Sequence, residues 1–550
     1  MSPSVPSTDF IPGTVHLVDL DGTLNYQHSK GVNHDVVLIP TPSTDPDDPL
    51  NWSPKRKLLF LSCLCVYCLA IGIASAAIYS ILVPISTVTN LTVADLNSGI
   101  GYMFLMLGWG CLVWQPLAQK FGKRPVYLAS LLGTMAIMLW APYASTQGQW
   151  IANKVIQGFF GAPIESLCEI SVADVWFTHE RGTYISFYAL FVAGSNFLAP
   201  IISGFINDGQ GWQWVLHWCA IFNGAAFIIL FFLMEETKYT RAALATEHHV
   251  PDDGIVTTNN DHIQKDAIGS EQKANAPLAA EIIGQGHIEW QPKSFWAKLR
   301  IVRREDLRES VPLRGMVIRP FLYFKFPIIV FAGFMYGAVI CYFNVLNGTV
   351  SLILSASPYD FSPSIVGLSY VSCLVGVFLG AFSAGPLGDK FILWKARCNN
   401  GIMEPEHRLW IYTALLVLTP GGLLLWGVGA AQEVHWFGLV FAMGSLGASI
   451  TIGSQLPLAY CIDCYKDLGA DAIVTVILIR NTMSFAVSYG ITPWVTNMGY
   501  RNTFLVAAFA ALLQLSVSLV FIKWGRNLRK ASVSNYWKYV KQVKADGLIH

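Results

Sequence analysis

Long apolar runs separated by short polar segments are the dominant pattern along the chain. Twelve runs are long enough to cross a bilayer as helices, since roughly 20 mostly apolar residues span about 30 Å of hydrocarbon. We name them spans 1 to 12, and they lie near 58–83, 98–118, 125–143, 150–174, 182–205, 212–234, 323–346, 363–387, 408–429, 434–460, 470–495 and 502–523. The runs are continuous rather than alternating, which indicates helices and excludes a β-barrel.

The polar segments divide the chain into predicted domains. Two six-helix bundles, at 57–235 and 321–523, are joined by a predicted cytoplasmic linker at 236–320. Its first part, like the polar N-terminus at 1–56, is predicted to be disordered, and residues 293–309 are predicted to form an amphipathic helix on the membrane surface. Residues 524–550 form a predicted cytoplasmic tail. We therefore predict an all-α polytopic membrane protein with twelve transmembrane helices in two pseudo-symmetric bundles.

Basic residues concentrate in the loops on one side of the predicted membrane. They include residues 55–57 before span 1 and residues 120–124 after span 2, whereas Arg501 is the one basic residue in the six loops of the other side. By the positive-inside rule, the basic side and both chain termini are predicted to be cytoplasmic. Two N-x-[ST] acceptors, Asn90 and Asn347, fall in predicted outside loops and are predicted to be glycosylated.

Composition agrees with this class and narrows the chemistry. Hydrophobic residues make up 53% of the chain and charged residues 13%, against about 25% charged in soluble domains. A net charge of +1 provides no field for binding nucleic acid. The cysteines show no paired framework, so neither a metal site nor a cofactor is expected. A D-x-D-G-T sequence at 19–23 matches a phosphatase nucleophile loop, but about 35 residues before span 1 are too few for such a core.

A short repeat indicates that the two halves are related. Residues 115–121 read Q-P-L-A-Q-K-F and residues 385–391 read G-P-L-G-D-K-F, so four of seven positions match. Each stretch ends the second span of its half. Duplicated halves that enclose a site at the bilayer midplane are common in secondary transporters.

The loop after span 2 resembles the G-x-L-x-D-R-x-G-R-[KR] motif of the major facilitator superfamily. The positions that match are Leu117, Lys120, Gly122, Lys123 and Arg124, and the departures are Gln115 and Gln119. In relatives this loop forms a charge-based lock, which these departures put in doubt. The second half keeps Gly385 and Asp389 at the corresponding positions.

Two further motifs extend the resemblance into spans 4 and 5. Lys154, Gln157 and Gly158 resemble the R-x-x-Q-G motif of span 4. Pro200 and Gly204 belong to a softened form of the G-P-x-x-G-G antiporter motif of span 5, which in relatives limits leak. We therefore expect the Pro200 region to form part of a seal between the two bundles.

Residues 45–52, 180–182 and 460–463 look like fungal members of the twelve-span drug:proton antiporter group, in the branch that includes organic-cation and polyamine carriers. The resemblance implies a monomeric plasma-membrane carrier without cofactors, which moves a small solute across the bilayer by proton-coupled alternating access. Efflux of drugs or metabolites is the first expectation, and uptake of polyamines or other organic cations is the second. A non-transporting sensor built on a carrier fold is the alternative from a different class. Enzyme activity is not expected.

Span 4 carries the candidate coupling residues on one helical face. With 100° per residue, a stripe about 120° wide contains Lys154, Gln157, Gly158, Gly161, Glu165 and Glu169. A charge at the bilayer centre costs roughly 3 kcal/mol or more, so this stripe is predicted to face a water-filled cavity or a partner within the protein. At least one of the two glutamates is predicted to carry a proton or bind a cation, while structural pairing of Glu169 with Arg181 remains the alternative.

Span 11 provides the candidates in the second half, Arg480 and Asn481. An arginine inside a membrane span marks a functional site by default. Arg480 and Lys154 are predicted to balance the charge of the glutamates. For Arg480, structural pairing with a group of span 10 or span 4 is an equally open interpretation.

Overall fold

The computed structural model describes residues 12–13, 15–16, 45–239, 313–399, 402–465 and 468–545. The predicted amphipathic helix at 293–309 and the D-x-D-G-T sequence lie outside the described residues. So do the side chains of Asp389 and Arg181. Across the described chain, the predicted all-α polytopic fold is confirmed, with one two-residue strand pair in addition, Val15–His16 with Ile402–Met403.

The first half contains spans 1 to 6. Its helices are Pro54–Ala76 for span 1, Val93–Trp109 and Cys111–Phe121 for span 2, Lys123–Trp140 for span 3, Gln147–Gly161 and Pro163–Val175 for span 4, Thr178–Gln210 for span 5 and Trp212–Leu233 for span 6. Short helical segments cover Pro49–Asn51, Leu82–Val88 and Ala141–Tyr143. Span 1 packs against spans 5 and 6, and span 3 packs against span 6.

The second half follows a short helix at Leu313–Leu322 and a single turn at Tyr323–Lys325. Its helices are Pro327–Leu354 for span 7, Pro363–Ser369, Val371–Ala384 and Pro386–Cys398 for span 8, Pro405–Arg408, Leu409–Tyr412 and Leu415–Ala431 for span 9, Trp436–Cys464 for span 10 and the helical stretch Gly469–Ala545 for spans 11 and 12. That stretch turns at Gly499, whose φ of 72° favours glycine.

Ten helical stretches of the described chain are long and apolar enough to cross a membrane. One of them, Asp471–Val543, comprises both span 11 and span 12. Span 4 is absent from the ten, and its polar and charged side chains, such as Lys154, Gln157 and Glu165, make it less apolar than the others. Splitting the long stretch at Gly499 and adding span 4 accounts for the twelve predicted spans.

Successive spans run in opposite directions, so the bundle has two ends. We call the end that holds Pro54, Lys123, Leu233 and Cys464 the basal end, and the end that holds Ala76, Gln210, Leu354 and Gly499 the distal end. The two halves contact each other mainly through span 2 with span 11 and span 5 with span 8.

The predicted seal residues lie where span 5 meets span 8 near the distal end. Gly204 lies directly against the backbone of Pro363, and a Cβ added at Gly367 would lie 2.5 Å from the Pro200 carbonyl oxygen. Side chains larger than hydrogen cannot fit at either glycine unless the helices separate. The two halves therefore touch here through backbone atoms.

Three hydrogen bonds of Asp208 and Asn97 also join the halves near the distal end, and together with the Gly204 and Gly367 contacts we call them the distal seal. The backbone N–H of Ser364 donates to the Asp208 carboxylate at 3.0 Å. Asn97 Nδ2 donates to the Thr492 hydroxyl at 2.9 Å and to the Gly348 carbonyl at 3.3 Å. Each of these bonds joins the first half to the second.

One predicted glycosylation site is wrong. Asn347 lies inside span 7 and is 3% exposed, and its side-chain oxygen accepts a hydrogen bond from the Tyr370 hydroxyl at 3.1 Å. Span 7 extends to Leu354, beyond its predicted end at residue 346, so this asparagine is buried in protein rather than in a loop. Asn90 is exposed in the turn that precedes span 2 and stays a predicted site.

Part of the N-terminal segment is structured, contrary to the prediction. Val15–His16 pairs with Ile402–Met403, and the Tyr239 hydroxyl donates to the Asp45 carboxylate at 2.9 Å, so the prediction of a disordered N-terminus is wrong for these residues. The predicted tail is helical as far as Ala545. Its helix packs beneath the second half through tyrosines such as Tyr539.

Candidate functional site

Span 4 is broken in the middle of its predicted polar face. The first helix ends at Gly161 and the second begins at Pro163. Proline has no backbone N–H and its ring clashes with the preceding turn, so the regular hydrogen-bond pattern stops there. Residues on either side of the break need not share the helical face that a continuous helix would give them.

Side chains from spans 2 and 3 donate hydrogen bonds to backbone carbonyl groups at the break. Trp114 Nε1 donates to the Phe159 carbonyl at 2.7 Å, and the Ser130 hydroxyl donates to the Phe160 carbonyl at 2.6 Å. The Cys111 thiol lies 3.3 Å from the Ala162 carbonyl. Backbone groups inside a membrane must be satisfied within the protein, so the break is built into the packing of the first half.

Before the break, Lys154 is enclosed within the first half. It is 0% exposed, and its ammonium donates to Gln157 Oε1 at 2.7 Å and lies 4.6 Å from the centre of the Trp150 ring. Gln157 in turn donates to the Ala74 carbonyl of span 1 at 3.0 Å. These contacts keep the Lys154–Gln157 pair away from the second half.

After the break, Glu165 faces the second half. Its carboxylate forms an ion pair with the Arg480 guanidinium of span 11, and their side chains are 20% and 6% exposed. The guanidinium carbon also lies 4.5 Å from the centre of the Tyr336 ring of span 7. The charge of Glu165 is therefore compensated by a residue of the opposite half.

Glu169, one turn further on, has tyrosines as neighbours. Tyr188 of span 5 and Tyr336 of span 7 both lie close to its carboxylate. Glu169 is 9% exposed, and no cation among the described side chains lies within 4.0 Å of its carboxylate. We call Glu165, Glu169, Tyr188, Tyr336 and Arg480 the carboxylate cluster, which joins spans 4, 5, 7 and 11.

Other predicted site residues lie outside this cluster. Asn481 is 1% exposed and packs against Gly108 of span 2, where an added Cβ would lie 2.7 Å from the Asn481 Cβ. Gly158 lies directly against the Met103 carbonyl of span 2. Gly158 thus lets spans 2 and 4 approach closely, as expected of a glycine in a membrane helix, and Asn481 lies in the interface between spans 2 and 11.

Comparison with known proteins places this architecture in a family. A family model described as Major Facilitator Superfamily matches residues 61–463, which is well over half of the chain.

The chain belongs to the major facilitator superfamily.

This superfamily member is similar over nearly its whole length to three fungal proteins. It is 27% identical over 548 residues to an uncharacterized MFS-type transporter of Schizosaccharomyces pombe, covering 96% of this chain and 94% of the relative. It is 25% identical over 562 residues to Protein HOL1 of Saccharomyces cerevisiae, covering 95% of each. It is 26% identical over 506 residues to MFS transporter cpaT of Aspergillus oryzae, covering 89% and 91%.

These findings confirm the coarser predictions. The protein is an integral membrane protein and a secondary transporter of the major facilitator superfamily. It acts on a small-molecule substrate and is not an enzyme.

The loop after span 2 of this superfamily member is held by acidic residues that the sequence analysis missed. Glu236, just after span 6, accepts hydrogen bonds from the backbone N–H groups of Lys123 and Arg124, both at 2.9 Å. Lys123 forms an ion pair with Asp174 of span 4. Gly122 has a φ of 100° and lies directly against the Glu236 carboxylate, so no larger residue fits there.

The other positions of the motif contribute little to this lock. Gln115 and Gln119, which replace the glycine and aspartate of the motif, bury side-chain oxygens without a partner among the described residues. Lys120 contributes its backbone carbonyl, which accepts from the Lys238 ammonium at 2.8 Å, and Leu117 packs into the apolar core. The lock that the departures put in doubt is formed instead by Asp174 and Glu236.

The missed residues differ in how well the sequence could have revealed them. Glu236 follows an apolar run directly, and Asp174 ends the predicted span 4, so acidic residues at the basic end of the bundle were a usable signal. Tyr188 and Tyr336 lie inside apolar runs, where a tyrosine carries no distinguishing pattern. The break at Pro163 was visible as a proline, but its effect on the helical face depends on the tertiary packing.

Proposed function

We propose that this protein is a proton-coupled carrier that exports organic cations across the plasma membrane by alternating access. The observation that supports it best is the unequal treatment of two neighbouring carboxylates. Glu165 is compensated by Arg480, whereas Glu169 has two tyrosines and no described cation beside it.

The charge of Glu169 needs a partner that the described protein does not supply. An uncompensated carboxylate in a site of low polarity is costly, so a proton or a cationic ligand must neutralise it for part of the cycle. Tyrosine rings stabilise cations through their faces, which makes Tyr188 and Tyr336 suitable neighbours for an ammonium group. Competition between a proton and an organic cation for Glu169 would couple their opposite movements.

In an alternating-access cycle the two halves rock against each other, and the Glu165–Arg480 ion pair is a charged contact between them. The pair joins span 4 of the first half to span 11 of the second half. Rocking that separates these spans must break the pair or replace one partner with a solute. Arg480 Nε and the Ser484 hydroxyl are buried without a protein partner among the described residues, so a polar solute would gain hydrogen bonds at both once rocking opens this junction.

The distal seal supports alternating access, because it closes the protein at one end. Gly204, Gly367, Asn97 and Asp208 join the halves on one side of the carboxylate cluster. With the basal end assigned to the cytoplasm by the positive-inside rule, the cluster would be loaded from the cytoplasm and emptied outside after the seal opens. Glycosylation at Asn90 and a monomeric carrier belong to the same proposal.

Transport into proteoliposomes with an imposed pH gradient tests this function. Purified protein is reconstituted, and polyamines, organic cations and lipophilic drugs are screened as radiolabelled solutes. We expect at least one cationic solute to accumulate on the acidic side of the membrane, against its own gradient. A protonophore should abolish this accumulation, and protein-free liposomes should lack it.

The same assay separates the alternatives. Accumulation of a cationic solute on the alkaline side, together with protons, would replace antiport with coupled uptake of the kind predicted for polyamines. Movement that follows the solute gradient alone and ignores the protonophore would contradict proton coupling.

A further inference from the structure

The N-terminal segment of the chain is seated on the basal end of the second half. Pro12 is buried, and its carbonyl accepts a hydrogen bond from Arg529 Nη1 of span 12 at 2.9 Å. Val15 and His16 pair in antiparallel register with Met403 and Ile402, in the loop between spans 8 and 9. A segment that precedes span 1 of the first half is thus bound to the second half.

Gly13 fits its position only because it has no side chain. Its φ is 88°, a conformation that other residues rarely adopt. A Cβ at this position would lie 2.8 Å from the Asp463 carbonyl oxygen, 3.0 Å from the Cys464 Cα and 3.1 Å from Pro405. The backbone at Gly13 therefore packs closely against the last turn of span 10, in a gap that has no room for a side chain.

The socket for this segment is centred on a buried ion pair. Arg529 is 0% exposed and bonds both oxygens of Glu406, at 2.8 and 2.7 Å. Its remaining terminal nitrogen is the one that donates to Pro12. The segment therefore covers a charged group that would otherwise face the basal surface.

Span 10 has a weak point close to this socket. Pro457 lies inside its helix, seven residues before its end at Cys464, and a proline interrupts the hydrogen bonds of the preceding turn. The short segment after Pro457 depends on outside contacts for its position. Two of these are the ion pair between Asp463 and Arg408 of span 9, and the seat of Gly13.

We propose that Pro12, Gly13, Val15 and His16 belong to a docking strand that pins the basal end of span 10 to the helix that continues span 12, and thereby restrains bending of span 10 at Pro457. The socket consists of Arg529, Glu406, the end of span 10 and the strand Ile402–Met403. Its occupant is an extended peptide that adds one strand and places a glycine against the helix end. The proposal concerns the second half alone and does not depend on proton coupling or on the solute.

Cysteine cross-linking tests whether the strand docks. Val15→Cys and Met403→Cys are combined in a Cys398→Ser background, because Cys398 is the exposed cysteine among those described. Residues facing each other in an antiparallel pair lie within reach of a disulfide. We expect copper phenanthroline to form the disulfide in the full-length protein in membranes. The pair Val15→Cys and Gln432→Cys, at the distal end, should not cross-link.

Gly13→Val provides the variant that should release the strand. We expect it to lower the yield of the Val15–Met403 disulfide by at least about fivefold, since valine is strained at this φ and has no room. The matched control is Gly148→Val, where an added Cβ meets no atom within 4 Å. An absent disulfide, or one that Gly13→Val leaves unchanged, would overturn the docking.

Hydrogen exchange tests whether docking pins span 10. In full-length Gly13→Val we expect backbone amides at 458–465 to exchange at least about tenfold faster, because local opening sets the exchange rate. Amides at 170–175, at the basal end of span 4, should stay within about twofold of the parent protein. If Gly13→Val abolishes the Val15–Met403 disulfide in the cross-linking test but leaves exchange at 458–465 unchanged, the strand docks without restraining span 10, and that part of the proposal is overturned.

Discussion

The two helices of span 4 carry charged side chains into very different surroundings. In the distal helix Gln147–Gly161, Lys154 is enclosed by Gln157 and Trp150 of its own helix. In the basal helix Pro163–Val175, the glutamates face an arginine and tyrosines from other spans. Residues that a helical wheel places on one face therefore serve two purposes, internal packing on one side of Pro163 and contact between the halves on the other.

The difference teaches that a proline can divide a polar stripe into a structural part and a candidate functional part. Charge alone does not distinguish the two, since Lys154 and Glu165 are both ionisable and lie inside the same span. What distinguishes them is where their counter-groups come from. Lys154 finds its partners in the first half, whereas Glu165 finds its partner in the second.

Of the substitutions that test the difference between the two helices, removal of Arg480 should have the largest effect on transport. In Arg480→Gln we expect solute transport to fall at least about 100-fold, because Glu165 keeps a charge without a partner at the junction of the halves. The double variant Glu165→Gln/Arg480→Gln should have a higher Tm than Arg480→Gln, measured by thermal unfolding in detergent. Equal Tm values would show that the two side chains are not coupled.

Restoring the backbone bond at the break should have an intermediate effect. Pro163→Ala supplies an N–H that competes with Trp114 for the Phe159 carbonyl, so the basal helix is expected to rotate towards the regular pattern. We expect transport to fall about tenfold, without loss of Tm. Gly194→Ala, at a position with open space around an added Cβ, is the control. Unimpaired transport in Pro163→Ala would mean that the break does not position the glutamates.

Filling the contact between spans 4 and 2 should reduce stability more than transport. An added side chain at Gly158 meets the Met103 carbonyl directly, and overpacking of this kind costs about 1–3 kcal/mol. We expect Gly158→Val to lower Tm while the protein that remains folded keeps its response to the pH gradient. A folded variant without that response would place Gly158 in the coupling machinery.

Replacing Lys154 should have the smallest effect. Methionine keeps the apolar stem of the lysine and removes an ammonium that has no contact with the second half among the described residues. We expect Lys154→Met to transport within about threefold of the parent protein, with an equal or higher Tm. Loss of gradient-driven transport in this variant would erase the difference between the two helices.

Much of the architecture could be predicted from the sequence because hydrophobic length and loop charge report directly on membrane insertion. The twelve spans, the superfamily and the candidacy of Glu165, Glu169 and Arg480 all come from such local patterns. The end of span 7 could not be predicted to the residue, and Asn347 was consequently assigned to a loop. Apolar length alone does not reveal where a helix continues inside the protein.

What the sequence could not reveal depends on contacts between distant segments. The partner of Arg480 lies more than 300 residues away, and the docking of Pro12 on Arg529 joins the two ends of the chain. Glu236 locks the loop after span 2 from the end of span 6. No spacing rule connects such residues, because their proximity is created by the packing of the helices.

Matched glutamine variants of the two glutamates test the central claim most directly. Glu169→Gln and Glu165→Gln are reconstituted, and solute accumulation driven by a pH gradient is compared with exchange of solute at equal pH. We predict that Glu169→Gln loses gradient-driven accumulation and that the weakened exchange it retains no longer depends on pH, because glutamine mimics the protonated carboxyl that has released the cation. Glu165→Gln is impaired in both assays because Arg480 loses its partner, but its residual exchange still falls at acidic pH. Full gradient-driven accumulation by Glu169→Gln would contradict the account.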